Sequence, residues 1–282
     1  MALLYLRELI TLYPEHEIKA ILFQMFYQVL GWSRATVHLN KPVLLSEAAE
    51  LRFLDTLGRL VAGEPIQYII GQTEFCGLKL TVQPGVLIPR PETEELAVMV
   101  TRDNLKYRDQ HISILDIGTG SGCIALAMKK AFPSADVIGI DKSTDALTVA
   151  KQNAYANELE MTFLEVDILN PTSFNRSGLF HLIVSNPPYI PQRERATMSR
   201  HVVDHEPENA LFVPDDNPLI FYEAIALFAR KNLTQDGLLY VEIHENYGEK
   251  TVNLFRSHRF SHVDIFLDYF GKKRFLKISA PF

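Results

Sequence analysis

Four consecutive residues, Asn186-Pro187-Pro188-Tyr189, bring together groups that can hold a planar NH2. The two prolines fix the backbone and remove two N–H donors, while their carbonyls remain as acceptors. Asn186 adds a side-chain carbonyl and Tyr189 a flat aromatic face. Such a slot accepts two hydrogen bonds from an amide or base amino group and stacks on its plane. A simple Asn-Pro turn is the plainer reading of the same residues. The chemistry that the slot suits is alkylation of a nitrogen whose lone pair is delocalised, with positioning as the principal catalytic effect. Asn186, Pro187 and Tyr189 are then the candidate catalytic residues, and Asn186, Pro187, Pro188 and Tyr189 the candidate substrate contacts. A neutral Asn fits a cationic methyl donor. A carboxylate would stabilise such a reactant more than a transition state in which the charge is fading. No general base is needed before attack, because the nitrogen sheds its proton after it becomes cationic.

A second stretch offers a place for that donor. Asp116-Ile117-Gly118-Thr119-Gly120-Ser121-Gly122 follows a short apolar run and precedes a helical stretch that starts at Cys123. Glycines at alternate positions let the backbone turn sharply and approach a ligand. The helix behind them aims its first amides at the same place. The dinucleotide fingerprint spaces its last glycine one residue further on. The shorter Gly-x-Gly-x-Gly spacing suits a ligand with no pyrophosphate, and S-adenosylmethionine is such a ligand. Gly118, Thr119, Gly120, Ser121, Gly122 and Asn186 are the candidate contacts in the two loops. Asp141 ends the next apolar run about 20 residues on, where a carboxylate can take both ribose hydroxyls. Asp167 ends the one after, placed to accept from an adenine amine with Ile168 against the ring. Asp116 either orients the glycine loop from beneath or meets the amine of the methionine part.

The elements that must position these residues are legible in the periodicity. Residues 1–65 read as a small helical bundle. Leu3, Leu6, Leu9 and Ile10 recur at helical spacing, as do Ile18, Ile21, Leu22, Met25, Phe26 and Val29. Gly31 and Trp32 end the second helix, and Ser46 caps a third over 47–60. Gly63-Glu64-Pro65 stops it. Residues 66–91 read as a hairpin linker and 92–282 as the catalytic domain. In that last region apolar runs at 114–117, 137–140, 161–166, 182–184, 238–243, 263–267 and 275–278 predict seven strands. The first five are expected to be separated by helices, which is the pattern of a doubly wound α/β sheet. The last two lie too close for a crossover helix and are expected to pair antiparallel at the sheet edge.

Composition narrows the classes. Apolar residues make up 47% and charged residues 22%, as in ordinary globular chains. Net charge is −6, which disfavours a sequence-independent duplex binder relying on phosphate contacts. Arg193, Arg195 and Arg200 form a local basic group that reads first as a solvated face. Cys76 and Cys123 are isolated and show no ligand spacing, which fits a reducing cytoplasm. The first residues show no signal peptide, and no run of about 18 apolar residues predicts a membrane span. His201 and His205 are spaced i, i+4 without a third ligand, so no metal is expected. No nucleophile elbow, Walker loop or His-Glu-x-x-His competes for the chemistry.

The whole pattern resembles the HemK/PrmC family of protein-glutamine N5-methyltransferases. The resemblance rests on Gly63 to Ile69, on Val86-Leu87-Ile88-Pro89-Arg90-Pro91-Glu92-Thr93-Glu94, on Asp116 to Gly122, on Asn186 to Tyr189 and on His205 to Phe212. It covers nearly the full chain. It implies a seven-stranded S-adenosylmethionine-dependent methyltransferase domain, Rossmann-like, behind a small helical bundle. It implies the glutamine of a Gly-Gly-Gln sequence in peptide-chain release factors as methyl acceptor, with S-adenosylhomocysteine as product. The bundle would grip the release factor, and Arg90, Pro91, Glu92 and Thr93 would lie at the mouth of the site. Arg90 is thus a substrate-binding candidate, with a structural salt bridge as the alternative. A ribosomal-protein glutamine is the nearest other acceptor, and an adenine-N6 amine in nucleic acid is one of another class. A cytoplasmic monomer without stable nucleic-acid or membrane binding is expected. The chain departs from the family pattern at Val213-Pro214-Asp215-Asp216-Asn217, where glycines are usual, and at Glu242-Ile243-His244-Glu245, where Glu-x-Gly is usual.

Overall fold

Ile114, Leu115, Asp116 and Ile117 are all buried, with no exposed face among them. A strand of that kind is covered on both sides, as in the middle of a parallel sheet. The computed structural model, which describes residues 1–39, 44–174 and 178–280, places it there. We label the strands of this sheet β1 (Ser113–Ile117), β2 (Asp136–Asp141), β3 (Thr162–Glu165), β4 (Phe180–Ser185), β5 (Leu233–Glu242), β6 (Val263–Leu267) and β7 (Lys273–Ser279). Their order is β6-β7-β5-β4-β1-β2-β3. β1 pairs in parallel with both β2 and β4. Chain direction across the sheet reverses its order there, so ligand-binding loops are expected at the carboxyl ends of β1 and β4.

Two expectations about the sheet change in detail. β6 and β7 do pair antiparallel, but β7 also bonds to β5, so only β6 forms the edge. The connection from β3 to β4 is not a full helix. Among the described residues it holds only the 3-10 turn Pro171–Ser173. The breakers Asn170, Pro171 and Gly178 account for that. Elsewhere the crossovers are helical: Cys123–Ala131 after β1, Thr144–Ala156 after β2 and Ile220–Asn232 before β5. A further helix, Pro91–Asp103, begins with proline at its first turn, a position that needs no amide donor. Two apolar clusters, one on each side of the sheet, make the core.

Contacts divide the chain into two units, residues 1–71 with 199–205 and residues 72–198 with 206–282. In the first unit the helices Glu15–Leu30 and Glu47–Val61 are well formed. Gly31 closes the former in the left-handed region at φ 69°, a conformation that glycine adopts without strain. Ser46 Oγ accepts from Ala49 N–H at 3.3 Å and caps the latter. The first helix, Ala2–Leu9, packs through Tyr5 and Leu9 rather than Leu3 and Ile10, which are exposed. Tyr5 also donates to the Phe53 carbonyl at 2.6 Å, a polar anchor that apolar periodicity does not register. In the second unit, the strands Gln72–Phe75 and Leu78–Thr81 form a hairpin whose turn residues Cys76 and Gly77 both have positive φ.

Candidate active site

The glycine loop takes its shape from positive φ at Gly118, Gly120 and Gly122, at 71°, 54° and 85°. A Cβ on Gly122 would stand 2.6 Å from Leu126 and 3.1 Å from Ala150, so only glycine lets this turn pack on its two helices. Asp116, fully buried, holds the loop from below. Its Oδ2 accepts from Thr119 Oγ1 at 2.6 Å and from Ala125 N–H at 3.1 Å. Of the two readings of Asp116, this geometry supplies the structural one. Thr119 and Ser121 are buried under the loop with it. Gly118 and Gly120 line the cavity above, whereas Thr119, Ser121 and Gly122 do not.

That cavity is a partly open cleft with mostly apolar walls, the usual character of a small-molecule site. Asp141, Asp167, Ile168, Asn186, Pro187 and Pro188 also face it. Asp141 Oδ2 accepts from Gly120 N–H and Oδ1 from Ser143 N–H, both at 2.9 Å. Each oxygen keeps a lone pair, so the carboxylate can still receive a diol. Asp167 Oδ1 accepts from Leu169 N–H at 2.9 Å, a strand-end turn bond compatible with its place on the cavity wall. Val86, Leu87 and Phe221 supply apolar surface that motif reading missed. Val86 and Leu87 open the segment that carries the family resemblance, but nothing local places them on the cavity wall, and Phe221 patterns like a core residue. Bare glycine backbone, a diol-accepting carboxylate and apolar walls fit S-adenosylmethionine.

The Asn-Pro-Pro-Tyr segment leaves β4 beside this loop. Ser185 Oγ donates to the Ile117 carbonyl at 2.8 Å and ties the two strand ends together. A Cβ on Gly118 would stand 3.9 Å from the Asn186 backbone carbonyl. Asn186 Nδ2 donates to Thr93 Oγ1 at 2.8 Å, and Thr93 Oγ1 donates to Glu242 Oε2 at 2.7 Å. Among the described residues nothing donates to Asn186 Oδ1. Tyr189 does not line the cavity. Its hydroxyl donates to Glu242 Oε1 at 2.9 Å, and its ring meets His244 edge-on at 6.0 Å. Thr93 and Glu242 therefore belong to the site, yet they lie 93 and 56 residues from Asn186 in sequence, and only the fold joins them.

Arg90 is held by an ion pair with Glu206 Oε1 at 2.5 Å, and Glu206 Oε2 accepts from Ile88 N–H at 3.1 Å. The salt bridge of the structural alternative is present, and Arg90 does not line the cavity. Both departures from the family pattern meet the same turn, Gln192–Thr197. Asp215 accepts from Arg193 N–H at 3.0 Å, and His244 pairs with Glu194 at 3.0 Å. Of the basic group, Arg193 pairs with Asp215 and Arg195 with Glu208, and Arg200 belongs to the first unit. In that unit His201 stacks on Tyr13 with ring centroids 4.6 Å apart, and its Nδ1 lies 2.9 Å from the Gly63 carbonyl.

Burial also shapes the acid–base character of the second unit. It pushes the Asp116 carboxyl up to about 7 against the pull of Thr119 and Ala125, with the Asp141 charge adding to it. It pushes Glu242 up to about 7 against its bonds from Thr93 and Tyr189. In an unfolded chain both titrate near 4. Between these values the folded protein keeps protons that the unfolded chain has released. The resulting stability is complete below about 4 and is lost as pH rises through about 7. At most this is roughly 4 kcal/mol per group. Burial lowers His181, which acts in the opposite direction, so the informative comparison is between variants. The urea midpoint of the cofactor-free protein should fall less from pH 5 to pH 8 in Glu242→Gln than in the unaltered chain. An equal fall in both would contradict the raised carboxyl.

Comparison with known proteins accords with this geometry. Residues 97–211 match the family model described as Methyltransferase small domain. The solved 16S rRNA N2 G1207 methyltransferase of T. thermophilus, in complex with AdoMet and guanosine, shares the fold. It superposes with a TM-score of 0.54 at 17% identity, over 74% of this chain and 49% of that one. Fold and site together define an S-adenosylmethionine-dependent methyltransferase. Residues 13–71 match a second model, PrmC N-terminal domain. The release factor glutamine methyltransferase of Bacteroides thetaiotaomicron is 39% identical over 96% of both chains. That of Flavobacterium psychrophilum is 38% identical over 98% of this chain and 96% of its own. The chain belongs to the release factor glutamine methyltransferase family.

Proposed function

We propose that this protein methylates the side-chain N5 of the glutamine in the Gly-Gly-Gln sequence of peptide-chain release factors. The arrangement that carries the reading is Asn186, whose NH2 is committed to Thr93 and whose oxygen is left to accept from a substrate N–H. The Pro187 carbonyl is the second acceptor in the slot. S-adenosylmethionine, when bound over Gly118 and Gly120, supplies a methyl group made electrophilic by a sulfonium. Asn186 and Pro187 hold the amide nitrogen so that its lone pair points at that carbon. With the nitrogen held by Asn186 and Pro187, the methyl group would pass from sulfur to nitrogen with the C–S pair left on sulfur, and one N–H proton would then leave to solvent. Asp141 is assigned to the ribose, Asp167 and Ile168 to the adenine, and Tyr189 to keeping the slot in shape through Glu242 and His244.

The helical unit is assigned to gripping the release factor, with residues 66–91 leading into the catalytic domain. Among the described residues no helix is long and apolar enough to cross a membrane. A cytoplasmic monomer without stable nucleic-acid binding completes the proposal. The test is mass spectrometry of a release factor before and after incubation with the protein and S-adenosylmethionine. One methyl group should appear on the acceptor glutamine peptide, and none when that glutamine is replaced by alanine. Equal labelling of the replaced factor would overturn the acceptor. Label passing to unmethylated DNA or RNA would move it to a base amine, and label on a ribosomal-protein glutamine would move it to that protein.

A further inference from the structure

The transfer requires Asn186 to meet its substrate with Oδ1 and not Nδ2, although the two ends of an amide differ little in shape. Thr93 receives Nδ2 at 2.8 Å. A hydroxyl both donates and accepts, so Thr93 alone would tolerate either end. Its own proton, however, goes to Glu242 Oε2 at 2.7 Å, and an ionised carboxylate can only accept. Thr93 therefore turns lone pairs toward Asn186, and Asn186 must answer with its NH2. The second oxygen of the same carboxylate takes the Tyr189 proton at 2.9 Å. Glu242 is 1% exposed and Thr93 3%, so water has little access to substitute for either partner.

We propose that Glu242, acting through Thr93, is a positioning residue that fixes the amide of Asn186 with its oxygen toward the substrate nitrogen. This rests on the role given to Asn186 above. A protonated Glu242 could donate to Thr93 or Tyr189, and the direction of the chain would no longer be imposed. The groups that face this carboxyl come from four elements. Glu92, on the same helix as Thr93, raises it, and Arg274 of β7 lowers it. Tyr189 donates to it, and Tyr222 of helix Ile220–Asn232 donates to the Glu242 backbone carbonyl at 3.0 Å. Burial outweighs Arg274 and leaves the carboxyl at about 7. Turnover should therefore rise with pH through about 7.

The experiment compares the full chain with Thr93→Val, Thr93→Ser and Glu242→Gln, using labelled S-adenosylmethionine and a release factor. Affinity for S-adenosylhomocysteine is measured alongside by calorimetry. Thr93→Val keeps the side-chain shape but not the hydroxyl, and should lower kcat about 10- to 100-fold with little change in KM or in cofactor affinity. Thr93→Ser should recover most of that loss. Glu242→Gln should flatten the acidic limb of the pH profile. Unchanged kcat in Thr93→Val, or an unshifted acidic limb in Glu242→Gln, overturns the proposal. Joint loss of turnover and cofactor affinity in both Thr93 variants also overturns it, because that would be a structural role. If the unaltered chain labels an adenine amine instead, the proposed acceptor fails. The same rate comparisons on that acceptor then decide the role of Glu242, since an adenine NH2 also needs an accepting oxygen.

Discussion

Asn186→Ala is expected to bind S-adenosylhomocysteine almost as the unaltered chain does and to lose turnover by about 10²–10³-fold. Losses of this size accompany removal of one preorganised hydrogen-bond partner at a reacting centre. The substitution deletes Oδ1, the acceptor left open by the bond from Nδ2 to Thr93. The Pro187 carbonyl remains, so one N–H of the substrate is still held while the nitrogen swings about it. Cofactor affinity should survive because the substitution leaves the backbone of the segment and the cavity walls formed by Gly118, Gly120, Asp141 and Asp167 in place. Asn186→Asp sharpens the point. It restores an acceptor but adds a negative charge beside a donor that is cationic before transfer, so cofactor affinity should rise while turnover stays low. It also removes the amide donor that Thr93 receives. Single-turnover methylation with calorimetry separates the two quantities. Turnover of Asn186→Ala within about threefold of the unaltered rate would show that the slot does not set the reaction rate.

What the sequence made legible follows from how local each constraint is. The glycine loop could be read because positive φ at alternate positions demands a residue type, and the demand repeats within seven residues. The place of Asp141 and Asp167 on the cavity wall could be read because each closes an apolar run whose length already marks a strand. Asn186 could be read because two prolines beside it leave few other uses for the segment. The resemblance put Thr93 at the mouth of the site, but its link to Asn186 and the part played by Glu242 could not be read. A buried Thr in a helix and a Glu at the end of β5 acquire meaning only when the fold sets Thr93 between Asn186 and Glu242, within 3 Å of each. Arg90 shows the opposite limit. Its position in the segment suggested substrate contact, but could not show the partner that the fold gives it, Glu206, 116 residues away and almost fully buried. The connection from β3 to β4 failed as a predicted helix for a local reason, since Asn170, Pro171 and Gly178 were visible breakers. Leu3 and Ile10 misled because a helix of eight residues has too few turns for periodicity to fix its buried face.

Asp141→Ala should weaken binding of S-adenosylhomocysteine by 100-fold or more, and two mechanisms contribute. In the first, the carboxylate takes both ribose hydroxyls, and hydrogen bonds to a charged group are worth roughly 1.5–3 kcal/mol each. In the second, it positions the protein. Gly120 N–H donates to Oδ2 and Ser143 N–H to Oδ1, so alanine frees the middle of the glycine loop and the start of the following helix. A fall in affinity alone would not separate these. A ligand that lacks the ribose hydroxyls does. If Asp141 touches them, the unaltered chain loses affinity for the deoxygenated ligand, and Asp141→Ala loses little more, because the partner is already gone. If Asp141 acts only on the loop, removing the hydroxyls costs both proteins the same. Asp141→Asn divides the effect further. It retains one acceptor oxygen but places an NH2 against either Gly120 or Ser143, where two donors would then face each other. Its affinity should lie nearer to that of alanine than to that of the unaltered chain. An affinity unchanged in Asp141→Ala would remove both roles at once.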